Sequence, residues 1–381
     1  MQSLGYEKFS IFERYPILIF WETTRACPLR CIHCRASAID KPLPGELTTE
    51  EGKRLIQQLL DFDKKPTLIF SGGDPLFRRD LFELLSYANK LGINFGVAPA
   101  VSEFLDKHIL KKIKDFGASS ISFSLDGSTS ATHDFIRRKI GTFERTIHAV
   151  QTALELGLDV QINTTVMKTN YLELPSIFSL IRKMNVQVWE VFFLIKTGRG
   201  MDVEDLNAIE CESVCNFLYD ASFYGVKIRV VEGPFIRRVL KQRAELGDYW
   251  KDEVYLKLRN ELFLNNGKGS TTSTLSHRGT LDGDGILFVA YDGSVYPGPL
   301  IPFCIGNVKE NKLAEIYNHN PLLKKIRNRE LNGFCGICEY KRVCGGSRAR
   351  SFAYYSDPLG PDPACFYAMQ RIASSMQRQL S

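Results

Sequence analysis

Three cysteines lie close together near the start of the sequence, at Cys27, Cys31 and Cys34, with the spacing Cys-x3-Cys-x2-Cys. Three thiolates on one short loop can each ligate a different iron of a [4Fe-4S] cubane, whose sulfides accept hydrogen bonds from the loop amides. The fourth iron then has no local protein ligand and can bind a small molecule through its amine and carboxylate. Two alternatives stay open: buried free thiols, or a zinc site completed by His33, although zinc sites favour paired cysteines.

A second group of cysteines lies near the other end of the chain, at Cys335, Cys338, Cys344 and Cys365. Four thiolates can saturate a [4Fe-4S] cluster and leave no iron open, which suits electron transfer, substrate positioning or structural support. Structural zinc is the alternative, because it also binds four thiolates.

The remaining cysteines and one histidine predict less. Cys211 and Cys215 are four positions apart in a helical stretch, so they share a helix face and are interpreted as buried core thiols. Cys304 is not needed to complete the second group, and His277, in a polar stretch, is interpreted as solvated.

Composition limits the class of protein. The chain has 381 residues, 44% of them hydrophobic, as in a globular protein with a large core. Its net charge of +6 is spread along the sequence, so nucleic acid is not an implied partner. The apolar run 15–21 is too short to span a membrane and has acidic neighbours, so we expect no membrane partner, no secretory signal and a cytoplasmic location. There the ten cysteines stay reduced and serve ligation or redox chemistry.

A repeating pattern of elements must position the first cysteine group. From about residue 15 to 231, short apolar runs alternate with longer stretches of helical period. The predicted strands are 17–21, 67–70, 94–98, 120–125, 159–166 and 187–193, and the predicted helices are 49–62, 80–91, 103–116, 143–156, 172–184 and 204–224. Six βα units predict a parallel α/β sheet, either open and doubly wound or curved into a partial barrel.

The amino-acid composition and the hydrophobic pattern change after this repeat, and this change predicts three regions. Residues 1–235 hold the βα repeat, and residues 236–285 are interpreted as a helical piece followed by a flexible polar linker. Residues 286–381 contain short strands, the second cysteine group and a short amphipathic helix. This last region is too small to pack well alone, so a metal centre would stabilise it.

The cysteine loop that follows the first strand of a βα repeat resembles the radical S-adenosylmethionine (SAM) superfamily, whose motif is Cys-x3-Cys-x-aromatic-Cys, with His33 at the aromatic position. The resemblance implies a partial (βα)6 TIM-like barrel and a [4Fe-4S] cluster that chelates SAM. Once reduced, this cluster cleaves SAM to methionine and a 5′-deoxyadenosyl radical, which abstracts hydrogen from the substrate. An electron donor of ferredoxin or flavodoxin type is also implied.

Other segments match the same family near the ends of strands. Residues 71–75, Ser-Gly-Gly-Asp-Pro, resemble its Gly-Gly-Glu motif, whose backbone contacts the methionine amine, and residues 122–127 resemble a segment that reaches the SAM ribose or carboxylate. Without the resemblance these are only a tight turn and an Asx turn. Arg137 and Arg138 are candidates to pair with a carboxylate of SAM or substrate. The implied SAM contacts are His33, Gly72, Gly73, Asp74, Ser124, Asp126, Arg137 and Asn163.

The C-terminal region resembles the SPASM-type extension of radical SAM enzymes. Arg348 and Gly298 stand where a full SPASM domain has cysteines, so the resemblance implies one auxiliary [4Fe-4S] cluster, held by Cys335, Cys338, Cys344 and Cys365. The stretch Cys-Gly-Gly-Ser-Arg-Ala-Arg most resembles enzymes of alternative heme and d-type heme biosynthesis, among them the enzyme that converts iron-coproporphyrin III to heme. Arg348 and Arg350 are either ligands for substrate propionates or solvated side chains.

Three functions compete at this point. The leading hypothesis is a radical SAM enzyme that abstracts hydrogen from a tetrapyrrole propionate, so that carbon dioxide leaves. The second is a SPASM-type maturase that crosslinks or oxidises a peptide or protein. The third is a non-enzymatic iron-sulfur carrier or a zinc-stabilised binding protein, which would not cleave SAM.

Overall fold

One mixed β-sheet runs through the protein. The computed structural model describes residues 12–276 and 279–380, with side chains described up to residue 373, so His277 lies outside the described residues. The strands are β1 (Leu18–Glu22), β2 (Thr67–Ser71), β3 (Phe95–Val97), β4 (Ser120–Ser124), β5 (Asp159–Val166), β6 (Val188–Phe193), β7 (Lys227–Val231), β8 (Leu281–Asp282), β9 (Gly285–Val289), β10 (Ser294–Tyr296) and β11 (Gly306–Asn307). Their order is β11-β10-β9-β1-β2-β3-β4-β5-β6-β7, and β8 pairs with β9.

The first seven strands run parallel and in chain order. Helices between them return the chain to the same edge of the sheet, as parallel pairing requires. They are α1 (Thr49–Gln58), α2 (Leu81–Lys90), α3 (Lys107–Asp115), α4 (Ser130–Arg137), α5 (Thr142–Glu155), α6 (Leu174–Lys183) and α7 (Ala208–Ala221). The predicted α/β fold with a parallel sheet is confirmed. Strand β7 was not among the six predicted strands.

The sheet curves as a partial barrel. Side chains from β1 and from β7, at Phe20 and Arg229, line the same cavity, although β1 and β7 are not neighbours in the strand order. An open, flat doubly wound sheet would keep these two strands far apart. Strand β7 ends the strand order, so among the described residues no strand pairs with its outer edge and the barrel is not closed there.

Helix α1 shows how local sequence sets the elements. The side chain of Thr48 accepts a hydrogen bond from the N–H of Glu51, and the Glu51 carboxylate accepts one from the N–H of Thr48. This capping box satisfies two N–H groups that the first helical turn leaves free. One turn later, Leu55 and Ile56 are fully buried in the core, so the helix packs its apolar face on the sheet.

The C-terminal part of the chain joins the same sheet. Strand β9 pairs in parallel with β1, and β10 pairs antiparallel with β9. The remaining helices are α8 (Ile236–Leu246), α9 (Glu253–Asn266), α10 (Leu313–His319), α11 (Pro321–Asn328), α12 (Gly333–Ile337), α13 (Arg348–Tyr355) and α14 (Phe366–Leu380). Within the described ranges, no helix has the length and apolar character needed to cross a membrane.

The polar stretch after α9 is held against the barrel. The N–H of Ser270 donates to the carbonyl of Phe223, and the hydroxyl of Thr274 donates to that of Val226. The sequence predicted a flexible linker here. The structure instead shows a stretch whose small polar residues form hydrogen bonds with the turn before β7. The three regional boundaries stay predictions.

Candidate active site and iron-sulfur centres

A cavity of about 860 Å³ lies inside the partial barrel. Its volume falls in the range of roughly 300–1,000 Å³ that is usual for small-molecule sites. All three cysteines of the first group line it, and so do six of the eight predicted SAM contacts, namely His33, Gly72, Gly73, Ser124, Arg137 and Asn163. The other two, Asp74 and Asp126, are fully buried behind the cavity wall.

Backbone hydrogen bonds hold the cysteine loop at the carboxyl ends of the strands. The N–H of Cys27 donates to Ile39 (2.7 Å), and the carbonyl of Cys34 accepts from the N–H of Arg199 (3.0 Å). The guanidinium of Arg199 also donates from Nε to the carbonyl of Cys31 and from Nη1 to that of Ala38. One arginine beyond β6 therefore fastens the middle and the C-terminal end of a loop that follows β1.

Two glycine segments press directly on this loop. A Cβ atom at Gly73 would lie 2.3 Å from the carbonyl oxygen of Ala26, and the N–H of Gly73 donates to Thr24 (2.7 Å). A Cβ atom at Gly198, where φ is +54°, would lie 2.3 Å from the carbonyl oxygen of Arg35 and 2.5 Å from that of Cys34. No side chain fits at either contact, so the backbones can approach only because these residues are glycines.

Arg137 connects the loop to a buried carboxylate. Its Nη1 donates to the Sγ of Cys31 (3.5 Å), and its Nη2 forms an ion pair with Asp126. Burial alone would raise the pKa of Asp126, but the charge of Arg137 and the backbone hydrogen bond from Thr165 act in the opposite direction, and the pKa lies below its usual value. Asp126 also accepts from the N–H of Thr165 (2.7 Å), so it remains an ionised anchor for the arginine.

The thiols and imidazole of the loop lie in a desolvated environment. Burial raises the pKa of Cys27 to about 12 and also raises that of Cys31. Buried thiols in this state become thiolates when a metal displaces their protons. Burial lowers the pKa of His33 to about 4, so the imidazole is neutral near pH 7.

Asp74 has a structural position in the turn after β2. Its Oδ1 accepts from the N–H of Leu76 (3.1 Å) and caps the short turn Pro75–Phe77. Burial raises the pKa of Asp74 to about 7. Of the predicted motif, the two glycines therefore face the cavity and the carboxylate supports the turn behind them.

A polar row crosses four strands inside the cavity. Strand register places Ser124, Asn163, Glu190 and Arg229 side by side on β4, β5, β6 and β7, and all four line the cavity. Sequence reasoning identified the first two and missed the last two. The available signal was an inward-facing charge in each strand, with apolar residues on both sides.

Gln161 links the members of this row. Its Nε2 donates to the Oδ1 of Asn163 (2.8 Å) and to the Oε2 of Glu190 (2.9 Å), and its Oε1 accepts from the Nη1 of Arg229 (2.9 Å). Burial raises the pKa of Glu190, although Arg229 opposes this. The row thus combines a fixed amide, a desolvated carboxyl group and a guanidinium.

The four C-terminal cysteines line a second, smaller cavity, together with Phe235 and Tyr367 among others. Three of their sulfurs accept backbone N–H groups: Cys335 from Asp362 (3.4 Å), Cys338 from Tyr340 (3.4 Å) and Cys344 from Gly346 (3.5 Å). Such N–H···S bonds are those that tune thiolate-bound iron-sulfur clusters. Cys304 is exposed and is not part of this lining.

The position of Gly298 accords with one auxiliary cluster. A Cβ atom there would lie 1.8 Å from the Oδ1 of Asp282. A cysteine at this position would collide with the buried aspartate. Cys211 and Cys215 are buried in the core, as expected.

The interpretation of Arg348 and Arg350 is wrong in both of its forms. Their exposed fractions are 2% and 1%. Arg348 donates to the carbonyls of Pro358 and Gly360, and Arg350 donates to the carbonyl of Glu232. These arginines hold the auxiliary region together and are neither solvated nor free for propionates.

The donor sets fit cubane clusters. Among the described residues, no group of three or more His, Cys, Asp or Glu side chains could hold a single metal ion. A cubane makes a different demand, because each thiolate ligates its own iron. The residues present fit such a group in both cavities, with three thiols in the first and four in the second.

Comparisons with known proteins match these features. Residues 21–181 match the Radical SAM superfamily, and residues 282–339 match an iron-sulfur cluster-binding domain, SPASM. The chain is 34% identical to an AdoMet-dependent heme synthase of Methanosarcina barkeri over 92% of this chain and 97% of that protein. It is 31% identical to an Fe-coproporphyrin III synthase of the same organism over 94% of this chain and 90% of that protein.

A solved structure shares the fold. The solved structure of native anSMEcpe with bound AdoMet aligns with 95% of this chain and 97% of its own chain, with a TM-score of 0.66 and 16% identity. The chain belongs to the radical SAM superfamily: it is a radical SAM enzyme with a SPASM region, and its cofactors are SAM, a [4Fe-4S] cluster that binds SAM, and an auxiliary [4Fe-4S] cluster.

Proposed function

We propose that this enzyme oxidatively decarboxylates propionate side chains of a tetrapyrrole of the iron-coproporphyrin III type. One observation carries the proposal, the 34% identity to an AdoMet-dependent heme synthase over almost the whole of both chains. Loss of a hydrogen atom, carbon dioxide and one electron converts a propionate into a vinyl group, so the reaction also needs a one-electron acceptor. The reduced SAM-bound cluster supplies the 5′-deoxyadenosyl radical that removes the hydrogen atom.

Cys27, Cys31 and Cys34 would hold the SAM-binding cluster. The predicted contacts to SAM are the backbone at Gly72 and Gly73 and the side chains of Ser124 and Asn163, which face the cavity. The auxiliary cluster would take the four C-terminal thiols. The electron would come from a ferredoxin- or flavodoxin-type donor in the cytoplasm.

The charge of the cavity suits an anionic substrate. Four arginines line it, at Arg35, Arg137, Arg199 and Arg229. Carboxylates pair with the first two, at Glu22 and Asp126. Among the described residues, neither Arg199 nor Arg229 has a carboxylate within ion-pair distance, so the cavity has two positive charges that no protein carboxylate neutralises, and these attract an anionic ligand. Apolar side chains of the lining, such as Phe20, Phe192 and Leu300, suit the face of a macrocycle.

The test is a reaction with iron-coproporphyrin III. Anaerobically reconstituted protein, SAM and a reductant should yield 5′-deoxyadenosine and products that have lost the elements of formic acid from each converted propionate, as measured by mass spectrometry. Intact SAM cleavage with an unchanged tetrapyrrole would contradict the proposal and favour a peptide- or protein-modifying activity.

A further inference from the structure

The polar row in the cavity ends at a guanidinium on the edge of the sheet. Arg229 lies on β7, the last strand in the order β1 to β7, and is exposed. It faces the same cavity as the cysteine loop, from the side on which the partial barrel is open. Arg229 is exposed, whereas the predicted SAM contacts Ser124 and Asn163 in the same row are half-buried.

The guanidinium of Arg229 is oriented but not neutralised. Its Nη1 donates to the Oε1 of Gln161 (2.9 Å), and Gln161 is itself fixed by its bonds to Asn163 and Glu190. No carboxylate of the described residues lies within 4.0 Å of Arg229. Arginine presents its N–H groups in a planar fork that matches a carboxylate. A fork that is held at one nitrogen keeps the others for a ligand.

Glu190 is the carboxyl group that would compete for this charge. It stands next to Arg229 in strand register, yet it is bound by Gln161 and forms no ion pair with Arg229. Its desolvated environment disfavours the ionised form. The positive charge of Arg229 therefore remains available.

The other cavity arginines do not offer the same site. Arg35 and Arg137 are neutralised by Glu22 and Asp126. Arg199 is engaged by the backbone of the cysteine loop and lies at the end of the cavity where SAM is predicted. Arg229 is thus the cavity arginine that neither pairs with a carboxylate nor bonds to the cysteine loop, and it stands at the end of the row opposite the predicted SAM contact Ser124.

We propose that Arg229, oriented by Gln161, binds a substrate carboxylate and so sets the position of the substrate against SAM. This inference rests on the proposed function, which supplies a substrate with several propionates. It assigns Arg229 as a specificity-determining residue, and it predicts that affinity depends on ionised carboxylates at the open side of the barrel.

The experiment measures binding by the reconstituted holoenzyme, without turnover. Absorbance titrations use iron-coproporphyrin III and its tetramethyl ester, which has the same macrocycle without carboxylates. Arg229→Gln should weaken binding of the free acid about tenfold or more and leave binding of the ester unchanged. Arg229→Lys should recover part of the affinity, because it restores the charge without the planar fork. The matched control is Arg145→Gln, an exposed arginine of α5 outside the cavity.

Each outcome is decisive. Wild-type affinity for the free acid in Arg229→Gln would overturn the inference and leave the proposed function standing. An equal loss of affinity for acid and ester would also overturn it, because the defect would then be general damage to the cavity. Failure of the wild-type protein to bind either tetrapyrrole would overturn the proposed function, and with it this inference.

Discussion

The guanidinium of Arg137 donates a hydrogen bond to the Sγ of Cys31 while it forms an ion pair with Asp126. A donor and a positive charge beside a cluster thiolate stabilise the reduced cluster, which carries one more negative charge. Arg137→Gln should therefore lower the reduction potential of the SAM-binding cluster by up to roughly 60 mV, since a hydrogen bond to a charged group contributes about 1.5 kcal/mol and 59 mV corresponds to about 1.4 kcal/mol for one electron.

The matched change at the other end of this pair should act in the opposite direction. Asp126→Asn leaves Arg137 without its counter-charge, so the potential should rise. Redox titration monitored by electron paramagnetic resonance measures both shifts. Shifts of the same sign in the two variants would contradict an electrostatic role for the pair.

The contact of Gly198 with the cysteine loop predicts a defect in cluster assembly. A Cβ atom at Gly198 meets two carbonyl oxygens of the loop, whereas one at Gly225 meets nothing within 4 Å, and both glycines have positive φ, +54° and +86°. Gly198→Ala should reconstitute with about half the iron, since one of two four-iron clusters is lost. Gly225→Ala carries the same kind of backbone strain and should reconstitute fully. Equal iron content in both variants would show that the loop tolerates displacement.

Substitutions in the two cysteine groups should have different effects on SAM cleavage. Cys27→Ala removes a ligand from the site with an open iron, so 5′-deoxyadenosine formation should fall to background. Cys344→Ala removes a ligand from the saturated site and should retain 5′-deoxyadenosine formation while tetrapyrrole conversion is lost. Cys304→Ala, at an exposed thiol, is the control and should behave as wild type. Chromatographic quantification of 5′-deoxyadenosine decides between these outcomes.

Asp282 should make stability depend on pH. Burial and the nearby charge of Glu232 raise the pKa of Asp282 well above its usual value. The folded protein therefore keeps a proton that the unfolded chain releases above its pKa of about 4, and stability is lost as pH rises from there toward the folded pKa.

Asp282→Asn mimics the protonated acid and removes this loss. Its free energy of unfolding relative to wild type should grow by about 1.4 kcal/mol for each pH unit across that interval. Urea denaturation at several pH values measures the difference. The control is Asp63→Asn, whose side chain is 60% exposed and should show no such trend. A difference that does not vary with pH would contradict the raised pKa of Asp282 in the folded protein.

The parts of the structure that sequence predicted are those set by local pattern. The βα repeat follows from short-range periodicity, so most predicted elements match observed ones, as with the predicted strand 159–166 and β5. The two iron-sulfur cluster sites could likewise be predicted from the local spacing of their cysteines. Strand β7 was missed because its edge position leaves Lys227 and Arg229 exposed, which weakens the apolar signal.

The parts that sequence did not predict depend on distant segments. The burial of Arg348 depends on carbonyls supplied by the loop around Pro358, and no local pattern reveals it. The row that ends in Arg229 depends on the register between strands. The close contact of Gly198 with the carbonyls of Cys34 and Arg35 joins residues more than 160 positions apart in sequence. Each is a tertiary contact between segments whose compositions alone suggest solvent exposure or a simple turn.

Strand β1, which leads into the cysteine loop, is paired on one side with β2 and on the other with β9. A truncated chain that ends before β9 would expose a raw strand edge directly beneath its radical-generating loop, and such edges invite intermolecular pairing. The SPASM region thus supplies a strand, β9, that completes the sheet next to β1 of the catalytic barrel. Separate expression of the two halves of this enzyme should give insoluble material. Replacement of the segment beyond β11 should leave the pairing of β1 with β9 intact.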